Sequence, residues 1–301
     1  MPLSSNSRGA LMMTIAMGAF TANDALIKSV THDLSLAQII FLRGVITTIA
    51  LVVMVWIYGA QSHWRAMFSR SVIVRSLLEI CAALTYISAL THIELSVAAT
   101  ILLSLPLAVT LGARLFLNEP VGWRRWAAIM VGFVGVIIIL KPSPDAFVPA
   151  SLLAVITVFF TASRDLVTRQ IDKSVPTLLI SLFSALMNTI FGAALIIPMG
   201  GWTEVSSGIF LTIFVAALFI LTGYQAIIIA MRSGEISFVA PFRYTSLIFS
   251  LSLGFYFFNE MPDGYMSIGA SLIVVSGLYA FYREKKRARI VAAASSNPTP
   301  N

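Results

Sequence analysis

Charge is scarce in this chain of 301 residues: Asp, Glu, Lys and Arg together make up 11% of it, against roughly 25% in a soluble domain. With 58% of residues hydrophobic, no water-soluble fold could hide the apolar surface. Cysteine is almost absent. Cys81 stands alone within an apolar run, which excludes disulfides and fits an inert small hydrophobe. The three histidines, His32, His63 and His92, lie at span ends or in loops without metal-ligand spacing. His-Glu-x-x-His, Gly-x-Ser-x-Gly and the Gly-x-x-x-x-Gly-Lys-Ser/Thr phosphate loop are all missing. Neither an enzyme, nor a metal site, nor a cofactor, nor ATP hydrolysis by this chain is expected. The net charge of +7 is spread over short loops and the C-terminus, so it reads as a topology signal and no nucleic-acid partner is expected.

What is abundant is long apolar runs. About 20 mostly apolar residues cross the roughly 30 Å of bilayer hydrocarbon, and such runs predict helices over 9–30, 35–59, 72–91, 95–117 and 123–140. A second five follow over 147–168, 176–198, 208–231, 236–258 and 264–282. The first run is read as a span, not a signal peptide, because it has a counterpart at 147–168. If the N-terminus is cytoplasmic, that side holds Arg8, Arg65, Arg70, Arg124, Arg125, Arg169, Lys173, Arg232 and the basic stretch from Arg283 to Arg289. Lys141 is the only basic loop residue on the other side. Lys and Arg accumulate on the cytoplasmic side, so both termini are placed there.

The chain also repeats itself. Glu94, Ser96 and Asn118-Glu119 recur as Glu235, Ser237 and Asn259-Glu260, each displaced by 141 positions. The same step carries Asp24 to Asp165 and Lys28 to Arg169. An odd number of helices per copy forces the second copy in upside down. The expected fold is therefore an all-α integral membrane protein of ten transmembrane helices in two inverted five-helix repeats. Its parts are a cytoplasmic segment 1–8, a first repeat 9–142, a second repeat 147–285, and a tail 286–301 that is basic and then, from Ala292, disordered. Inverted repeats let two nearly equivalent halves expose one central site to either side.

Polar groups inside such spans need a partner or a watery path. Asn23, Asp24 and Arg43 lie towards the outer side and Glu79, Asp165 and Arg243 towards the inner side. Similar depths at 1.5 Å per residue predict ion pairs of Asp24 with Arg43 and of Glu79 with Arg243, acting either as gates or as structural salt bridges. Lys28, Arg114 and Arg164 are expected to snorkel to the interfaces. Near the midplane Tyr86, Ser104, Pro106, Tyr224, Gln225 and Tyr244 complete the candidate cavity and gating set, with Pro106 and Pro241 freeing backbone carbonyls. Ala128 and Gly132 read as close helix packing.

The duplicated stretch Glu94 to Pro142, with Glu119-Pro120 opening the loop before the fifth helix, resembles the EamA-like proteins of the drug/metabolite transporter superfamily, over about residues 8–285. That resemblance implies a central cavity between the halves, alternating access, and a bacterial inner (plasma) membrane location. Within the group the chain looks most like amino-acid exporters of the YddG type, implying amino acids or similar amphipathic metabolites as substrate. Uptake of riboflavin or S-adenosylmethionine, or a multidrug-type or channel-like permease, stays open. A monomer in the lipid bilayer is expected, with a dimer as the other option.

Overall fold

The computed structural model describes residues 5–118, 122–141, 148–172, 174–233 and 239–296. Glu119, Pro120, Pro142, Lys173, Glu235 and Ser237, on which several sequence markers fall, lie outside that set. Among the described residues every regular element is helical. The first repeat supplies α1 (Ser5–Val30), α2 (Leu36–Ile57), a 3-10 segment (Ala60–Phe68), α3 (Arg70–Leu90), α4 (Leu95–Leu102), α5 (Leu105–Phe116) and α6 (Trp123–Leu140). The second supplies α7 (Ser151–Arg169), α8 (Thr177–Ile196), α9 (Ser207–Ser233), a 3-10 segment (Ala240–Tyr244), α10 (Thr245–Phe258) and α11 (Gly264–Ser296).

Nine helical stretches among the described residues are long and apolar enough to cross a membrane, α4 and α5 together making one of them. The span expected at 236–258 is described from Val239 on, as the second 3-10 segment followed by the 14-residue α10. The last helix runs on to Ser296, past Ala292 where disorder was expected. Its run of Ala, Arg and Lys has high intrinsic helix propensity, which outweighs its polarity.

The step of 141 seen in the sequence reappears in the geometry. The helix pairs that pack most extensively are α1 with α9, α3 with α7, α2 with α8 and α6 with α11, so each principal contact joins one repeat to the other. The helix α4–α5 breaks at Leu103–Ser104, where Ser104 Oγ donates to the Ile101 carbonyl at 2.7 Å. At the matching place Thr245 Oγ1 donates to the Phe242 carbonyl at 2.6 Å, at the junction of the 3-10 segment and α10. Pro106 sits in the first turn after the first interruption and Pro241 in the first turn of the 3-10 segment that precedes the second, both places where a missing N–H costs little. Asn118 and Asn259 share the left-handed conformation with φ 53°, which Asn tolerates better than most residues. Thr48 and Thr189, equivalent positions on α2 and α8, touch through their hydroxyls at 3.2 Å. Two equivalent atoms meet only on the axis that relates the repeats, so the pseudo-twofold axis passes between them.

Close approach explains two glycines. A Cβ on Gly192 would come within 2.6 Å of the Phe41 backbone nitrogen, and one on Gly135 within 2.8 Å of the Gly269 carbonyl. The α2–α8 and α6–α11 contacts thus depend on missing side chains, the close packing expected where lipid supplies no hydrophobic drive between helices. Exposed Trp56, Ile57, Phe116, Ile197 and Tyr256 face outward, as a bilayer solvent requires.

Candidate substrate cavity

Between the repeats lies a cavity of about 500 Å³, lined from both halves and walled by both helix interruptions through Leu103, Pro106 and Tyr244. Polar chemistry is concentrated there. In the first repeat Asp24 accepts from Asn23 Nδ2 at 2.9 Å and from the Tyr86 hydroxyl at 2.9 Å. In the second, Asp165 accepts from its own preceding residue, Arg164, through Nε at 3.0 Å and a terminal nitrogen at 2.8 Å. Asn23 and Arg164 are equivalent positions, so one backbone arrangement has been given a neutral donor on one side and a guanidinium on the other.

Glu79 on α3 accepts from Arg75 at 2.7 Å and from the Tyr224 hydroxyl at 3.0 Å, with Arg164 at 3.8 Å. Arg75 also donates to Thr168 Oγ1 at 3.2 Å and to Ser184 Oγ, tying α3 to α7 and α8. Neither predicted ion pair forms. Asp24 takes Asn23 and Tyr86 instead of Arg43, and Glu79 takes Arg75, Arg164 and Tyr224 instead of Arg243. The reason is azimuth: depth along the bilayer says nothing about which face of a helix a residue occupies, whereas the i,i+4 spacing of Arg75 and Glu79 puts them side by side. Arg43 senses Asp24, Glu79 and Tyr224 only through space, and the Arg243 guanidinium makes no hydrogen bond or contact ion pair among the described residues, although the Arg243 carbonyl accepts from Ser246 Oγ.

Of the remaining sequence candidates, Tyr86, Pro106, Tyr224, Arg243 and Tyr244 line the cavity. Ser104 is buried in the helix break and Gln225 stands away from the lining. Tyr244 presents its ring, while its hydroxyl is seated where a Cβ of Gly277 would otherwise be. Arg75, Ser184 and Asn188 were not foreseen; Arg75 had a readable signal in its spacing from Glu79, the other two had none. Asn23 Oδ1 and Asn188 Oδ1 are buried without a hydrogen-bond partner, and both residues line the cavity.

Along the membrane normal the cavity runs from Asn23 and Ala99 to Thr177, the first residue of α8 on the face where α1 begins. Beyond its other end the repeats are latched together. Glu260, which follows α10, accepts from Lys28 Nζ at 2.8 Å and from the Leu95 backbone N–H at 2.9 Å through one oxygen. Its second oxygen accepts from the Ser96 N–H and hydroxyl, each at 3.2 Å. Lys28 adds a bond to the Ile93 carbonyl at 2.6 Å. Glu94, at the N-cap position, makes no side-chain capping bond, so the orphan N–H groups of α4 are satisfied by a carboxylate from the other repeat. Lys28 therefore does not snorkel; neither does Arg164, held by Asp165 and Glu79. Arg114 is exposed at the end of α5.

A charged chamber at the seam of two related, oppositely threaded helix sets, each burying its face in the other, defines a two-repeat membrane transporter. The chain belongs to the EamA-like transporter family, whose profile matches it twice, over residues 7–141 and 148–282. Those matches are themselves 141 residues apart. The chain is 28% identical over 279 residues to the S-adenosylmethionine uptake transporter of Rickettsia conorii, covering 90% of this chain and 92% of that one. It is 32% identical over 191 residues to the riboflavin transporter of Vibrio cholerae, covering 63% of each. The pseudopaline exporter CntI of Pseudomonas aeruginosa is 25% identical over 284 residues, 92% of this chain and 97% of that one. A solved crystal structure at 16% identity superposes with a TM-score of 0.67, covering 92% of this chain and 98% of its own. That likeness speaks for the fold.

Proposed function

We propose that this transporter moves small amphoteric metabolites with an amino-acid end by alternating access, with the cavity as its one substrate site. The observation that carries this reading is the doubly signed cavity: Asp24, on neutral donors, can take an ammonium group, while Arg43 and Arg243, without contact partners, can take a carboxylate. Amino acids fit this description; the resemblance to amino-acid exporters and the pseudopaline exporter speak for export, whereas the relatives in Rickettsia are named for uptake. S-adenosylmethionine, named for the relatives in Rickettsia, carries the same amino-acid end. On this reading the chain crosses an inner membrane ten times with both termini in the cytoplasm. The cavity then opens to the cytoplasm in this state, and the Glu260 latch shuts the outer side.

Counterflow in proteoliposomes tests the proposal. Labelled amino acids and S-adenosylmethionine should enter saturably and be accelerated by the same solute inside, with riboflavin slower. Linear entry without trans-stimulation would make the protein a channel and overturn the carrier reading.

A further inference from the structure

The lining of the cavity is not electrically balanced. It contains Arg43, Arg75, Arg164 and Arg243, but only Asp24, Glu79 and Asp165 as carboxylates. Two of those carboxylates are held by contact cations. Glu79 holds Arg75 and Arg164, and one oxygen of Asp165 accepts two bonds from Arg164. Asp24, bonded to Asn23 and Tyr86, has Arg43 as its through-space cation. Arg243 is left over. It feels the attraction of Asp165, already engaged, and the repulsion of Arg164. A guanidinium at membrane depth without an anion is costly, and its planar fork matches an oxyanion bidentately. The ammonium end of such a ligand has Asp24, whose contact donors, Asn23 and Tyr86, are both neutral.

From this inventory we infer that the preferred substrates are amphoteric anions, compounds with an ammonium or amide N–H and one more anionic group than cationic, whose extra oxyanion docks on Arg243. The inference rests on the cavity being the substrate site and narrows its substrate class. Neutral zwitterions leave Arg243 unmatched, and net cations add to the excess charge, so S-adenosylmethionine, whose sulfonium makes it net positive, should bind more weakly than glutamate. Arg243 is thereby the residue that sets charge preference.

The purified full-length protein in nanodiscs decides this by equilibrium binding of glutamate and aspartate against glutamine, leucine and lysine. Glutamate should bind about tenfold more tightly than glutamine, a difference of one charge-assisted contact, and lysine most weakly. Arg243→Gln should bring glutamate and glutamine together, and Arg243→Lys, which keeps the charge but loses the fork, should fall between them. Equal binding of glutamate, glutamine and lysine to the unaltered protein, or a preference that persists in both variants, would overturn the inference. So would inorganic phosphate binding in place of the amino acids and showing the same Arg243 dependence. Binding with the expected preference but without counterflow would leave the inference standing and sink the carrier reading.

Discussion

Asp24 and Asp165 occupy the same place in the two repeats and live in opposite electrostatic circumstances. Each accepts a bond from the residue before it, but Asn23 brings no charge and Arg164 brings a full one. Asp24 is completed by Tyr86 from α3, while Arg164 reaches on to Glu79. Duplication copied the backbone, and substitution at one neighbouring position left one of two equivalent carboxylates on neutral donors and the other on a cation. The same divergence is visible at Arg43, whose counterpart is Ser184. Functional asymmetry here lives in side chains, over a scaffold that stays symmetric down to individual hydrogen bonds.

The strongest way to break the comparison is to neutralise each aspartate. Asp165→Asn removes two charge-assisted bonds from Arg164, leaving it Glu79 at 3.8 Å, and should cost about 3 kcal/mol of stability at roughly 1.5 kcal/mol for each bond to a charged group, seen as a lowered Tm in detergent. Asp24→Asn orphans no contact cation and should leave the Tm nearly unchanged while abolishing counterflow. Equal loss of Tm in the two variants would show that the aspartates have the same role.

Next in size is the latch. Glu260→Gln removes the charge seen by Lys28 and weakens the bonds to the Leu95 and Ser96 N–H groups, a loss of about 1.5 to 3 kcal/mol for a charged hydrogen-bonding group. That loss should release the closed end. A cysteine at Ala99 in a Cys81→Ser background should then react with an impermeant thiol reagent from the latch side, where the unaltered latch protects it. Unchanged protection would assign closure to other contacts.

A smaller effect is expected from pH on the same face. Glu94 has its carboxyl pushed up by burial and then by the carboxylate of Glu260, with Asp263 adding to this and Lys141 and Lys28 opposing it. Opening relieves these influences, so the latched form holds the Glu94 proton more tightly. Lowering the pH through the carboxylate range should favour closure, and the contribution should vanish as the pH rises above it. Reactivity at position 99 from that side should fall on acidification, and Glu94→Gln should remove the response. The smallest expected effect lies on the axis. Thr48→Val breaks one half-buried neutral hydrogen bond and should lower stability by about 1 kcal/mol or less, with Thr189→Val matching it.

The architecture was largely legible because a membrane imposes long apolar runs and because the repeat needs no gap. Matched markers such as Asp24 and Asp165 were enough to establish the step of 141 that Ser104 and Thr245 display in their bonds. The site was half legible. Depth identified which residues are buried, so Asp24, Glu79, Tyr86 and Tyr224 were found, but pairing requires knowing which helix faces which. Lys28 and Glu260 were both used as repeat markers, yet their pairing over 232 residues of sequence joins a residue read as snorkelling to one read as loop. Helix rotation is fixed by packing against neighbours, as where Gly192 admits α8 onto α2, and no single helix encodes it.

The bond between Thr48 and Thr189 has one more meaning. In an assembly of two identical, antiparallel half-chains, that contact would be one residue touching its own copy. Every principal helix contact here likewise spans the seam, so neither half has a folded interior of its own. The molecule is in effect an obligate dimer on one string, and the stretch of chain between α6 and α7 is its tether. Cutting that tether would test whether membrane insertion of the first half must wait for the second.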